Sequence, residues 1–165
     1  SCDQIDPAAG KYNLNGHSLL YGYGRINAKR AVELAAPALP VPATVHTSAA
    51  IIPIRDLRTS RLSVQVAETA LPTSVRIGVD IEHTYIGDLI IKMVPPKSTG
   101  VPSILLHNRA GGGTDNLRTT YDVTTTPDLM ALAGKNPKGE WSLTVQDKEK
   151  LDTGHILQFS VTLIF

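Results

Sequence analysis

The sequence predicts an all-β domain, a β-sandwich, jelly roll or partly closed barrel, with one short helix, preceded by an extension that carries an α-helix of its own. Three observations lead there. Apolar and polar residues alternate with a period of two over most of residues 62–165, and turn-forming residues separate the alternating runs. Glycine and proline number 13 and 11 of the 165 residues, which suits tight turns between short elements and disfavours a helical bundle. With 42% hydrophobic residues the chain is long enough for one domain with a core and an appendage, not for two large domains.

The extension comes first. Residues 1–15 are polar and turn-rich, and Tyr21-Gly22-Tyr23-Gly24 leads into a stretch in which Asn27 suits an N-cap. Ala28, Ala31, Val32 and Ala35 recur at helical spacing and Pro37 ends the run, so a helix is expected over about 28–36. A helix of about ten residues is marginal alone in water, so its apolar face needs a surface to dock on. Residues 37–50 hold Pro37, Pro40 and Pro42 and no acid, lysine or arginine, and read as a semi-extended linker. The β domain is expected over 51–165.

Within that domain the alternation predicts six strands. Leu62, Val64 and Val66 mark the first, and Val75, Ile77, Val79 and Ile81 the second. Leu89–Val94 is a third, stopped by Pro95-Pro96, and Ile104–Leu106 a short fourth. Trp141, Leu143 and Val145 form the fifth; Leu157, Phe159, Val161, Leu163 and Phe165 form the last. Between the fourth and fifth, Thr126 as cap, Pro127 at the first helical position and Gly134 as terminator predict one or two helical turns.

Charge excludes several function classes. Sixteen Lys and Arg against 15 Asp and Glu leave a net charge of +1, without the broad basic footprint of a nucleic-acid binder. No apolar run approaches the roughly 20 residues that span a bilayer, so no membrane segment is expected. The single cysteine, Cys2, has no internal disulfide partner. The five histidines are scattered, no serine sits in a Gly-x-Ser-x-Gly frame, and no pair of histidines has zinc-binding spacing. Ala110-Gly111-Gly112-Gly113-Thr114-Asp115 lacks the Gly-Lys-Ser/Thr ending of a phosphate cradle and reads as a surface turn.

Acidic loops at strand ends keep calcium open, with Asp88, Asp147 and Asp152 as candidate ligands, although two lysines interrupt the 147–154 loop and the EF-hand spacing is absent. The competing expectation is that Asp152-Thr153-Gly154 is a turn. Trp141, in phase with Leu143 and Val145, is expected in the core rather than as a sugar platform. Tyr85 and Tyr121 fall near loops and leave a carbohydrate-binding reading open.

The motifs also form an ordered series: Val79-Asp80-Ile81-Glu82-His83-Thr84-Tyr85-Ile86-Gly87-Asp88-Leu89; Leu105-Leu106-His107-Asn108-Arg109 before the glycines; Thr126-Pro127; Gly139-Glu140-Trp141-Ser142-Leu143-Thr144-Val145; and Asp152-Thr153-Gly154. In this order residues 51–165 resemble the P domain, or Homo B domain, that follows the catalytic domain of kexin-like and furin-like subtilisin-type serine proteases. Residues 1–36, from Ser1-Cys2-Asp3-Gln4-Ile5-Asp6-Pro7 to Tyr21-Gly22-Tyr23-Gly24-Arg25-Ile26-Asn27-Ala28, resemble the C-terminal end of such a catalytic domain.

The resemblance implies a secreted, extracellular parent enzyme whose triad lies upstream. This chain would be its non-catalytic jelly roll, packed against the catalytic domain of the same polypeptide, stabilising or regulating it and able to influence its calcium and pH dependence. It further implies a junction at Tyr21, Tyr23 and Arg25, and structural roles for Gly87, Asp88, Gly139, Trp141 and Gly154. Ile86-Gly87-Asp88, where animal convertases often read Arg-Gly-Asp, and Phe159, where tryptophan is common, indicate a bacterial-type member. The alternative is an independent extracellular module that binds carbohydrate or a protein substrate.

Overall fold

The computed structural model describes residues 2–5, 8, 10–21, 23, 25–26 and 42–165. It divides into two compact units, Ser1–Pro40 and Val41–Phe165. In the first, β1 (Cys2–Asp3) pairs antiparallel with β2 (Arg25–Ile26). Side-chain bonds order the segment between them. The Tyr12 hydroxyl accepts the Ile5 N–H at 2.8 Å, and Asn13 Oδ1 accepts the N–H groups of Asn15 and His17 at 2.9 and 3.0 Å. The helix expected over 28–36 and residues 37–41 of the expected linker lie outside the described residues.

The second unit contains β3 (Ala43–Ile54), β4 (Thr59–Val66), β5 (Ser74–His83), β6 (Leu89–Val94), β7 (Ile104–Asn108), β8 (Leu117–Tyr121), β9 (Gly139–Asp147) and β10 (Gly154–Ile164). They form two antiparallel four-stranded sheets, β3-β10-β5-β8 and β4-β9-β6-β7. The first strand of this unit lies beside its last, the second beside the seventh and the fourth beside the fifth, which is jelly-roll order. The expected fold class holds.

Inward residues of both sheets fill the space between them. One sheet contributes Val75, Ile77, Val79, Ile81, Ile156, Phe159, Val161 and Leu163, and the other Leu62, Val64, Leu89, Ile91, Met93, Trp141, Leu143 and Val145, all buried. Trp141 is 1% exposed, and its indole N–H donates to the Pro137 carbonyl at 2.8 Å, so burial leaves no polar atom unpaired.

Two strands escaped the alternation. Residues 43–50, expected in the linker, form the first two thirds of β3, an edge strand whose half-buried side reads Thr44, His46, Ser48, Ala50 and Ile52. That side is polar or small for most of its length, so no apolar period marks it. Pro53 is exposed on this edge, where a missing N–H is tolerated. β8 is the other edge of the same sheet, and its Arg118, Thr119 and Thr120 are exposed.

The last strand changes phase. Ile156 faces inward, and so do Phe159, Val161 and Leu163, because the register of β10 slips between Ile156 and Gln158 against both neighbours. Leu157, expected in the inward set, is instead at the bulge.

The expected helical turns are a 3-10 segment, Pro127–Leu132, with Thr126 making no side-chain cap bond. Three-residue periodicity places Leu129 and Leu132 on one face, and both are buried in the core. Gly134, at φ +69°, turns the chain away and donates its N–H to the Pro72 carbonyl at 2.8 Å.

Truncating Trp141 to alanine is expected to cost about 3–5 kcal/mol in urea unfolding; a loss below about 1 kcal/mol would place the indole outside the core. Hydrogen exchange should show alternate amides of residues 43–54 protected by pairing with β10. Uniformly fast exchange there would return the segment to a linker.

Candidate functional site

The strand period carries a polar pair to one end of the sandwich. In β5 the inward positions 75, 77, 79 and 81 are followed by His83, and in β9 positions 141, 143 and 145 are followed by Asp147. Both side chains are fully buried, with His83 Nε2 3.3 Å from Asp147 Oδ2. His83 Nδ1 lies 3.1 Å from the Tyr85 amide nitrogen, whose N–H it accepts in one tautomer, and 3.0 Å from the Tyr85 carbonyl, to which it donates when Nδ1 carries the proton. Asp147 Oδ1 accepts the Glu149 N–H at 3.0 Å. Every heteroatom of this pair therefore has a partner, as burial demands.

Three loops are tied together around the pair. The Ile86 and Gly87 N–H groups donate to the carbonyls of Thr114 and Gly112 at 3.0 and 2.9 Å, and the Asp88 carbonyl accepts the Lys148 N–H at 3.0 Å. His107 Nε2 donates to the Ile86 carbonyl at 3.0 Å. The Thr84 hydroxyl donates to Asp152 Oδ1 at 2.7 Å. Arg109 reaches Glu149 Oε1 at 2.6 Å, the Gly87 carbonyl at 3.4 Å and Asp88 Oδ1 at 3.8 Å.

Two glycines permit this packing. A Cβ on Gly87 would stand 2.8 Å from the Gly112 carbonyl oxygen, and one on Gly154 would overlap the Glu82 carbonyl oxygen and the His83 ring. Gly139, at φ +133°, lies against Pro96 at the opposite end.

Asp88 is buried beside other acids. Burial first, then the charges of Asp147, Asp152 and Glu149, hold its carboxyl above the usual carboxylate range, and Arg109 opposes them. The calcium candidates Asp88, Asp147 and Asp152 thus meet at one end, but they do not form a metal centre. Asp147 is committed to His83 and the Glu149 amide, and Asp152 to Thr84; Asp88 faces Arg109. Among the described residues, no three His, Cys, Asp or Glu side chains are grouped to hold a metal ion. Calcium does not fit this donor set as it stands.

Sequence reasoning missed His83, Arg109 and Glu149. The first had a signal, since an imidazole in the inward phase of a strand demands a buried partner. The other two meet only through loop geometry. Of the junction residues, Tyr21 and Tyr23 are exposed, Tyr23 packs edge-on against His17 with ring centroids 4.8 Å apart, and Arg25 lies in β2. The candidate sugar platform is absent from the surface at Trp141. Tyr121 is half-buried, with its hydroxyl pushed up to about 12 by that burial, and Tyr85 packs over Gly87 and Gly113. At the opposite end, where the chain enters β3, Val101, Pro102, Ile104, Pro127, Met130 and Ala131 line an open groove of about 610 Å³.

Because the Asp88 pKa is raised on folding, ionising it costs stability. The cost is absent below the unfolded-state pKa and grows as pH rises through the folded value. Asp88→Asn should therefore gain stability relative to the native protein between pH 4 and pH 7, read in urea unfolding at each pH; a constant difference would refute the assignment.

Residues 72–163, more than half of the chain, match the family model described as the proprotein convertase P-domain. The chain is 53% identical over its whole length to a protein of Nostoc sp. named "Calcium-dependent protease", of which it covers 25%. It is 29% identical over 145 residues to the Aeromonas extracellular serine protease of Aeromonas sobria, 77% of this chain and 23% of that one. The crystal structure of the Aeromonas sobria serine protease shares the fold, with TM-score 0.54 and 19% identity over 93% of this chain and 32% of that one. The chain thus spans about a quarter of the length of the curated relatives it matches. The match over more than half of its length establishes that this chain belongs to the proprotein convertase P-domain family.

Proposed function

We propose that this chain is the C-terminal, non-catalytic part of a secreted subtilisin-like serine endopeptidase, and that its β domain stabilises the catalytic domain of the same polypeptide. The observation that carries this reading is the pairing of P-domain membership with coverage of only a quarter of relatives named as proteases. The extracellular location rests on the name of the Aeromonas relative.

The physical mechanism is linkage. A domain that binds only the native catalytic fold raises its stability, and covalent attachment supplies an effective concentration on the order of 1 mM. For an interface with a Kd of about 10 μM the gain is about 2.7 kcal/mol. The groove of Val101, Ile104, Pro127 and Met130 supports this role, because it lies at the end where the chain enters β3 and leaves Met130 65% exposed. Junction residues Tyr21, Tyr23 and Arg25 would belong to the catalytic side. The calcium dependence named for the relatives extends, in this reading, to the parent enzyme, with its ligands outside residues 42–165.

Deleting residues 42–165 from the parent enzyme should lower its inactivation temperature or abolish folded enzyme. Met130→Asp should lower it by part of that amount while the β domain's own circular dichroism is unchanged. Unchanged heat resistance with lost retention on an insoluble substrate would replace this reading with the extracellular binding module.

A further inference from the structure

Calcium gathers six to eight oxygens, mostly carboxylates and backbone carbonyls. Arg109 gathers the same classes of donor: the Glu149 and Asp88 carboxylates and the Gly87 carbonyl. We propose that the Arg109 guanidinium takes the place of a divalent cation at the hub of the 83–88, 109–114 and 147–152 loops, making this β domain independent of calcium and leaving a latent cation site that loss of Arg109 opens.

Position and charge both support this. The Arg109 backbone is left-handed, at φ +51°, an unfavourable conformation for a non-glycine residue, and its N–H is pinned to the Leu89 carbonyl at 2.9 Å. The side chain is thereby aimed across to the neighbouring loop. Four carboxylates, of Asp88, Asp147, Glu149 and Asp152, converge on this end, and the charges of the other three act on Asp88. His83 answers Asp147 and Thr84 answers Asp152, so Asp88 and Glu149 are left to Arg109. A guanidinium keeps its charge at all physiological pH values, resists chelators, and presents donors in a planar fork that reaches several acceptors at once. Arg109 and Glu149 are 45% and 52% exposed at the side chain, so the position is open to an ion from solvent once the guanidinium is gone.

Replacing the guanidinium by a neutral amide leaves the two carboxylates and the carbonyl facing one another. A divalent cation held there needs water to complete its six to eight ligands, and is expected at the weak end of calcium sites, with a Kd of about 1 mM. At 10 mM calcium that Kd raises the folded-to-unfolded ratio about tenfold.

The test is urea unfolding of the 165-residue chain in 10 mM calcium and in chelator. The native protein should respond equally in both; Arg109→Gln should be less stable in chelator and recover about tenfold in calcium; Arg109→Gln with Asp88→Asn should not recover. Calorimetric titration of calcium into the native protein is the second measurement, and no saturable binding that depends on Asp88 is expected. Asp88-dependent binding by the native protein would overturn the proposal, since the cation position would already be available. So would an Arg109→Gln variant that gains nothing from calcium, or that fails to fold with and without it.

Discussion

The requirement on which the rest of the structure depends is that each strand keep one phase toward the space between the sheets. Eight strands share that space, and a one-residue slip in β4, β5, β6, β9 or β10 would turn its apolar set to solvent. The interruption at Leu157 in β10 shifts register against both neighbours together, so the inward set resumes with Phe159; a second shift lies in the β6–β7 pair, where Leu106 and His107 are both buried. The same phase that packs Ile81 and Val145 also delivers His83 and Asp147. Their buried pair is thus a product of the core's own periodicity, placed where the apolar set ends.

Legibility followed that period. Strands with strong inward phases, such as those of Val75–Ile81 and Trp141–Val145, were readable because burial imposes alternation. β3 was not, since its half-buried side is lined by Thr44, His46 and Ser48, and β8 was not, since its middle residues are exposed. At the loop end, the acid-rich strand ends named Asp88, Asp147 and Asp152 as candidates, and the charges of the other two act on Asp88 in the structure. Their partners were not visible, because Arg109 and Glu149 are separated by forty positions and meet only when three loops pack. The motif residues Gly87 and Gly154 sit where a side chain would strike backbone, which gives the family resemblance a steric content.

The two ends of the sandwich divide the work. One end is closed by ion pairs and backbone bonds among loops, with its carboxylates engaged within the domain. The other is capped by Leu129 and Leu132 and leaves an apolar groove around Met130. This asymmetry suits the stabilising role proposed above, in which the domain's own cohesion does not compete with the surface it offers.

The placement of β10 has a consequence for biosynthesis. It lies between β3 and β5, so the sheet that contains all three acquires its interior strand last. During vectorial translation, β3 and β5 have no shared neighbour until residues 154–164 emerge, and their facing edges remain open to wrong partners. The unit therefore closes in a late, concerted step rather than strand by strand. A chain truncated within Gly154–Ile164 would lose the strand that both neighbours need, and quality control would meet it as an open sheet.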